Sequence, residues 1–399
     1  MIDLRRIAFS ALAAILVALS SGARTVAAEP FTIDVVLSQT GAYAFVGTAF
    51  TQHLKVLEDY TNRHGGLHGQ PIHFEFHDDQ SSPQIAVQLS QAIVAKHPAV
   101  VLGANGGSMC GAMAPVFKDG PVMYCLVPSI FPDKGGYVFA AGVALDPYIN
   151  GMIRYLKQRG WTRLAIVSGT DGSSQANDTA VNALLKLPEN QDVKIVAWEH
   201  YNPADISIAA QASRVKAANP QAIITWAAGP PFGTVLRGLN DAGISLPVEA
   251  TNANMYPAQL SQYIGFYPKE LVMPAAPYLV PSLGVNSPLG PPIAQFFTAF
   301  KDAGVKPSAG AAPFVWDPAV IVLSGMRKLG TGASAADLKN YILGLRNFAG
   351  IDGLYDFSRG DQHGLSDQSV VMASWNPKTG EFYAVSGLGG VPLKTITPR

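Results

Sequence analysis

Short apolar runs rich in β-branched residues alternate along this chain with segments whose apolar positions recur at helical spacing, and that alternation narrows the possible folds sharply. FTIDVVLS (31–38) reads as a strand. GTAFTQHLKVLEDYTNRHGG (47–66) reads as a helix with Phe50, Leu54, Leu57 and Tyr60 on one face and Gly65 as its stop. PIHFEFHDD (71–79) is a second strand. SPQIAVQLSQAIVAK (82–96) is a helix with Ser82 as cap and Pro83 as its first residue, where a missing N–H costs nothing. The alternation continues through AVVLGA, CGAMAPVFKDG and VMYCLVPS and starts again with RLAIVSG, DVKIVAWEHY, QAIITWAAG and LPVEATN. Such an order implies parallel sheets with helices on both faces. The expected fold is α/β with two doubly wound lobes, from about 31 to 145 and from 146 to 281, to which the late strands SVVMASWN and EFYAVSGL return. A cleft between the lobes would hold the function.

The first 28 residues stand apart from that pattern. Arg5 and Arg6 precede an apolar run from Ile7 to Leu19, and Val26, Ala27 and Ala28 supply the small residues of a cleavage site, which together read as an export signal cut near Ala28. A soluble, periplasmic, monomeric protein is expected. Lysine plus arginine equals aspartate plus glutamate at 28 each, so no global field favours nucleic acid or an anionic membrane. The two cysteines, Cys110 and Cys125, exclude a disulfide-dense scaffold. In an oxidising compartment they form either one bridge or two buried thiols.

Common enzyme signatures fail one by one. GGSMCG carries Cys110 where a nucleophile elbow needs its last glycine. Neither a P-loop nor a His-Glu-x-x-His helix is present. GTGASA (330–335) imitates a dinucleotide fingerprint but follows the helix-patterned VIVLSGMRKL rather than a strand, so it reads as a turn between helices. His73, Glu75 and His77 alternate with apolar residues on the second strand, a spacing that fits zinc in principle but more simply a solvated strand face. Asp78 and Asp79 then serve the turn that follows. No metal, cofactor or catalytic residue is expected.

Two strand ends look built for an anion. VVLGANGGSMC and VMYCLVPSIF run into small or hydroxyl residues and turn at the same carboxyl edge of a parallel sheet. Gly107 and Ser108 in the first turn and Ser129 in the second offer donors to a carboxylate, and equally suit ordinary helix capping. GGLHGQPIHFEFHDDQSSPQIAVQLSQAIV, VVLGANGGS, PVMYCLVPS and FGTVLRGLNDAGISLPV, in that order and spacing, resemble the solute-binding proteins of ABC importers, in the class named for branched-chain amino acids. The resemblance runs from about 31 to 385. It implies a two-lobed periplasmic-binding fold with hinge crossings near 145, 281 and 357. The first lobe would then comprise 29–145 and 282–357, and the second 146–281 and 358–399. It also implies that Gly107 or Ser108, Val127 and Ser129 hold a ligand carboxylate, and that an inner-membrane ABC permease is the partner.

One departure matters. Where amino-acid binders of this class set an acidic residue against the ligand's ammonium, this chain has Asn252, in VEATNANMY. Burying an ammonium without a carboxylate partner costs several kcal/mol, so the ligand is expected to lack an α-amino group unless Glu249 or Asp171 substitutes. Tyr43, Phe45, Trp226 and Phe232 fall where a side-chain pocket would be, with Tyr256 just beyond Asn252. Asp317, before Pro318, reads as the cap of a helix start. The function expected is capture of a small carboxylate-bearing solute, aromatic or apolar rather than a branched-chain amino acid, by closure of the lobes. A branched-chain or other amino-acid binder, a ligand sensor on the same fold, an exported hydrolase and a metal carrier using His73 and His77 are the alternatives.

Overall fold

The structure is a computed structural model that describes residues 29–280 and 287–394. The expected export signal lies outside the described residues.

The first sheet is built from β1 (Phe31–Leu37), β2 (Ile72–Asp78), β3 (Val100–Gly103), β4 (Val122–Cys125) and β5 (Val138–Ala140). They lie in the order β2-β1-β3-β4-β5 with every pairing parallel. Between them run α1 (Ala44–Arg63), α2 (Pro83–Val94) and α3 (Gly107–Met113). The interior strand β1 is buried without a break from Ile33 to Leu37, because helices cover both faces of the sheet. β2 is the edge strand, and its outward residues His73 and Glu75 are exposed. Ser82 accepts from the Ile85 N–H at 3.4 Å, and Pro83 opens α2 as its sequence requires.

The second sheet continues with α4 (Leu145–Gln158), β6 (Arg163–Gly169), α5 (Gly172–Leu184), β7 (Lys194–Tyr201), α6 (Ala209–Ala218), β8 (Ala222–Thr225), α7 (Pro230–Asp241), β9 (Val248–Ala250), the short α8 (Pro257–Leu260) and β10 (Leu271–Ala275). Its five strands are parallel in the order β10-β9-β8-β6-β7. Next come α9 (Gly290–Asp302), α10 (Ala312–Leu329), α11 (Ala335–Gly344) and a small hairpin of β11 (Phe348–Ala349) and β12 (Leu354–Tyr355). Finally β13 (Val371–Asn376) and β14 (Glu381–Ala384) add antiparallel strands beside β10. GTGASA is the turn between α10 and α11, where Ser334 and Asp337 cap each other.

Core membership shows where the chain changes lobe. Ala141 belongs to the first-lobe core and Ile149 to the second, so α4 opens the second lobe. Ala275 packs in the second and Ala276 and Tyr278 in the first, ahead of residue 281. Leu365 still packs in the first lobe and Val370 in the second, beyond residue 357.

Asp317 does not begin a helix. α10 starts at Ala312 with Pro313 in its first turn, and Asp317 and Pro318 lie inside it, fully buried. Burial of Val315, Trp316, Ala319 and Val322 in the first-lobe core holds the helix together despite the interior proline. The Asp317 carboxylate turns toward the β11–β12 hairpin. It accepts from the Ile351 and Asp352 N–H groups, each at 2.9 Å, and from the Tyr355 hydroxyl at 3.0 Å.

Candidate functional site

A cavity of about 540 Å³ lies between the lobes, within the size range of small-molecule sites. The first lobe contributes Tyr43, Gly107, Ser108, Ser129, Phe131 and Phe314, and the second Tyr148, Ser173, Asn177, Trp226 and Asn252. Val143, Leu145, Pro274, Ala276, Pro313 and Val370 make much of the remaining wall apolar.

The polar corner is narrow. Gly107 is the first residue of α3, and a Cβ built on it would stand 2.5 Å from the Ser129 Oγ, so the absence of a side chain lets the two loops close on each other. Ser108 and Ser129 are exposed toward the cleft, and Ser129 Oγ has no hydrogen-bond partner among the described residues. A disulfide joins Cys110 of α3 to Cys125 of β4, tying together the segments that carry Ser108 and Ser129. Of the two readings open for these cysteines, the structure has the bridge.

Tyr43, Gly107, Ser108, Ser129, Trp226 and Asn252 are thus brought together around one cavity. Four other candidates stand elsewhere. Val127 is half-buried and packs against the core formed by β4, α2 and α3. Phe232 is fully buried in the second-lobe core, edge-on to Tyr263 at 5.8 Å. Phe45 is exposed at the outer rim, where its ring meets Tyr256 of the opposite lobe at 5.6 Å. Asp171 caps α5, accepting from the Ser174 N–H at 3.0 Å and its hydroxyl at 2.8 Å. These bonds outweigh burial and hold the Asp171 carboxyl below its ordinary range.

Trp226 presents its ring to the cavity while its indole N–H donates to Asp178 at 2.9 Å. Tyr148 accepts from the Asn252 backbone N–H at 2.9 Å, which fixes the Asn252 turn against α4. Glu249 lies on β9 at 1 % exposure and does not line the cavity. Burial raises its carboxyl well above the usual range.

One carboxyl-bearing residue at the cavity carries no mark in the sequence. Asp352, in the turn of the β11–β12 hairpin, is 5 % exposed and lines the cavity. It is the only carboxyl group in the lining, which contains no lysine, arginine or histidine among the described residues. Burial first, and then the neighbouring Asp317 charge, raise its proton affinity well above that of a free carboxyl. In sequence it sits in GIDGLYDF, which reads as an ordinary turn aspartate.

The histidines of the edge strand stand away from this cleft. His73 is exposed between Glu58 at 3.4 Å and Glu75 at 3.3 Å, and His77 pairs with Asp34 at 2.8 Å. Among the described residues no group of three or more histidine, cysteine, aspartate or glutamate side chains is placed to hold a metal ion. Asp78 and Asp79 hold the following turn, accepting from the Gln80 and Ser81 N–H groups at 2.8 Å each.

The sequence pattern of the periplasmic binding protein family matches residues 30–381, nearly the whole described chain. The chain belongs to that family. Solved structures agree with this periplasmic binding protein in fold. An extracellular ligand-binding receptor from Rhodopseudomonas palustris HaA2 is 19 % identical, with a TM-score of 0.72 over 90 % of this chain and 100 % of the other. A type 1 periplasmic binding protein from Bordetella pertussis Tohama I is 20 % identical, with a TM-score of 0.71 over 89 % and 99 %. The branched-chain amino acid transporter substrate-binding protein LivJ from Streptococcus pneumoniae, solved with isoleucine, is 16 % identical, with a TM-score of 0.70 over 89 % and 99 %. No curated protein matches the chain in sequence. The solved neighbours carry the same fold. No helix among the described residues is long and apolar enough to cross a membrane.

Proposed function

We propose that this protein is the periplasmic substrate-binding component of an ABC importer and that its ligand is a small carboxylic acid with an aromatic or otherwise apolar body. The observation that carries this reading is the placement of Gly107, Ser108 and Ser129 on one wall of an otherwise largely apolar inter-lobe cavity. α3 is only seven residues long, so its dipole is small, and the grip comes from individual donors. Each hydrogen bond to a charged acceptor is worth about 1.5–3 kcal/mol. Tyr43, Phe131, Tyr148, Trp226 and Phe314 offer faces and edges to a planar or bulky body.

Closure of the lobes then covers the ligand and excludes water, which strengthens the polar contacts. The Phe45–Tyr256 contact, one ring from each lobe, sits where closure would be sensed at the rim. Membership of the periplasmic binding protein family and the expected export signal support delivery to an inner-membrane permease.

A thermal-shift panel of benzoate-like acids, phenylpropenoids, short fatty acids and amino acids tests the reading. Aromatic acids are expected to raise Tm in proportion to the logarithm of concentration above Kd. If leucine or valine stabilises the protein and aromatic acids do not, the ligand assignment is wrong. Stoichiometric zinc in chelator-free protein, or turnover of a bound ester, would replace the whole reading.

A further inference from the structure

The turn that carries Asp352 is held rigidly, yet its side chain is left without work inside the fold. Asp317 fixes the backbone by accepting from the Ile351 and Asp352 N–H groups. Gly353 beyond it has φ +148, and a Cβ there would fall 2.4 Å from the Ser369 Oγ, so the turn is pressed against another cavity residue. The Asp352 carboxyl itself has no hydrogen-bond partner among the described residues and no basic neighbour in the cavity wall. A buried carboxyl that served folding would be paired, because an unpaired one costs free energy in either protonation state. An unpaired one at 5 % exposure, lining the cavity, serves whatever enters it.

We propose that Asp352 is a specificity-determining contact for the solute: its carboxyl group receives a hydroxyl or amino hydrogen-bond donor carried by the ligand, so the preferred solute is a hydroxy- or amino-substituted carboxylic acid. The proposal rests on the function proposed above and refines its ligand class. Both protonation states of Asp352 accept from O–H or N–H. Asn252 and the buried Glu249 leave the second lobe without an ionisable partner for such a group, and the hinge-side hairpin supplies one instead.

The test compares parent acids with their donor-bearing analogues by calorimetric titration: benzoate with its hydroxy and amino isomers, cinnamate with hydroxycinnamates, and 4-methylpentanoate with 2-hydroxy-4-methylpentanoate. At least one donor-bearing member is expected to bind wild type about tenfold more tightly than its parent. In D352A that advantage should vanish while the parent's Kd moves by less than about threefold, since the carboxylate grip at Gly107, Ser108 and Ser129 is untouched. D352N and D352A should keep or raise Tm without ligand, because they remove an unpaired buried acid; a lowered Tm would mark Asp352 as structural and overturn the proposal. An advantage that survives in D352A overturns it too, as does equal binding of parents and analogues. If neither kind of acid binds wild type, the functional reading fails and this one with it, whereas parents that bind without discrimination remove only the role of Asp352.

Discussion

Gly107 and Ser129 set the grip at the level of single atoms. Gly107→Ala puts a Cβ 2.5 Å from the Ser129 Oγ, so the hydroxyl must swing away from the cleft. Affinity for a carboxylate ligand is expected to fall about tenfold, the worth of one charge-assisted hydrogen bond, with Tm shifted little. Ser129→Ala should give a comparable loss in the same titration. Unchanged affinity in both variants would remove the anion corner. Ser108 and Ser129 were legible in the sequence because strand-end turns of a parallel sheet open on one edge whatever the side-chain packing, whereas Asn252 was marked only by the family resemblance. Phe232 was not, since an aromatic at a helix start reads the same whether it faces ligand or core, and packing against Tyr263 decides it. Asp352 was invisible for the opposite reason: nothing local to a Gly-rich turn says that its acid points into a cavity.

At the scale of elements, the short α3 and the end of β4 act as one unit because Cys110 and Cys125 join them. The bridge closes a loop with a sequence separation of 15, a span for which chain entropy assigns about 3 kcal/mol of stability. A C110S/C125S variant is expected to lose about that much in denaturant unfolding, and to lose ligand affinity as well, since Ser108 and Ser129 are no longer tied. Equal midpoints for the bridged protein and the variant would show that the bridge contributes nothing. α10 gives the contrasting lesson. Its WDP run looks like a helix start, but Pro313 had already opened the helix, and burial of Trp316 and Val322 carries it through Pro318. The freed Asp317 then organises the hairpin that presents Asp352.

Across the whole molecule, buried titratable groups set an acid response made of opposed parts. His53 lies at 0 % exposure on α1, with its ring 4.8 Å from that of Phe300 on α9. Burial pushes its imidazole down to about 4, the hydrogen bond to the Ala49 carbonyl offsetting only part of that. Since the unfolded chain takes up this proton near pH 6.5, the unfolded state binds more protons between there and 4, and stability is lost as pH falls through that window. Asp317 works the other way. Burial pushes it up to about 6, so the folded state holds its proton first and gains stability as pH falls from 6 toward 3.8. The two largely cancel in wild type, so a difference measurement is needed. Relative to wild type, His53→Leu is expected to gain about 3 kcal/mol between pH 7 and pH 4, read from urea midpoints along the pH series. A difference that stays flat with pH would show that His53 is not the acid-sensitive group.

The sequence by itself determined the parallel strands of both sheets, the cap of α2 and the turn between α10 and α11, because these depend on periodicity and on residues within a few positions of one another. It also placed Gly107, Ser108 and Ser129 at one sheet edge. Tertiary structure alone decided which acid meets the cleft. Asp171 is taken up by its own helix, Glu249 is buried away from the cavity, and Asp352 reaches the wall from a hairpin more than a hundred residues further along the chain. That choice depends on where three lobe crossings carry the chain in space, a long-range outcome of core packing that leaves no mark on the residues around any one carboxyl.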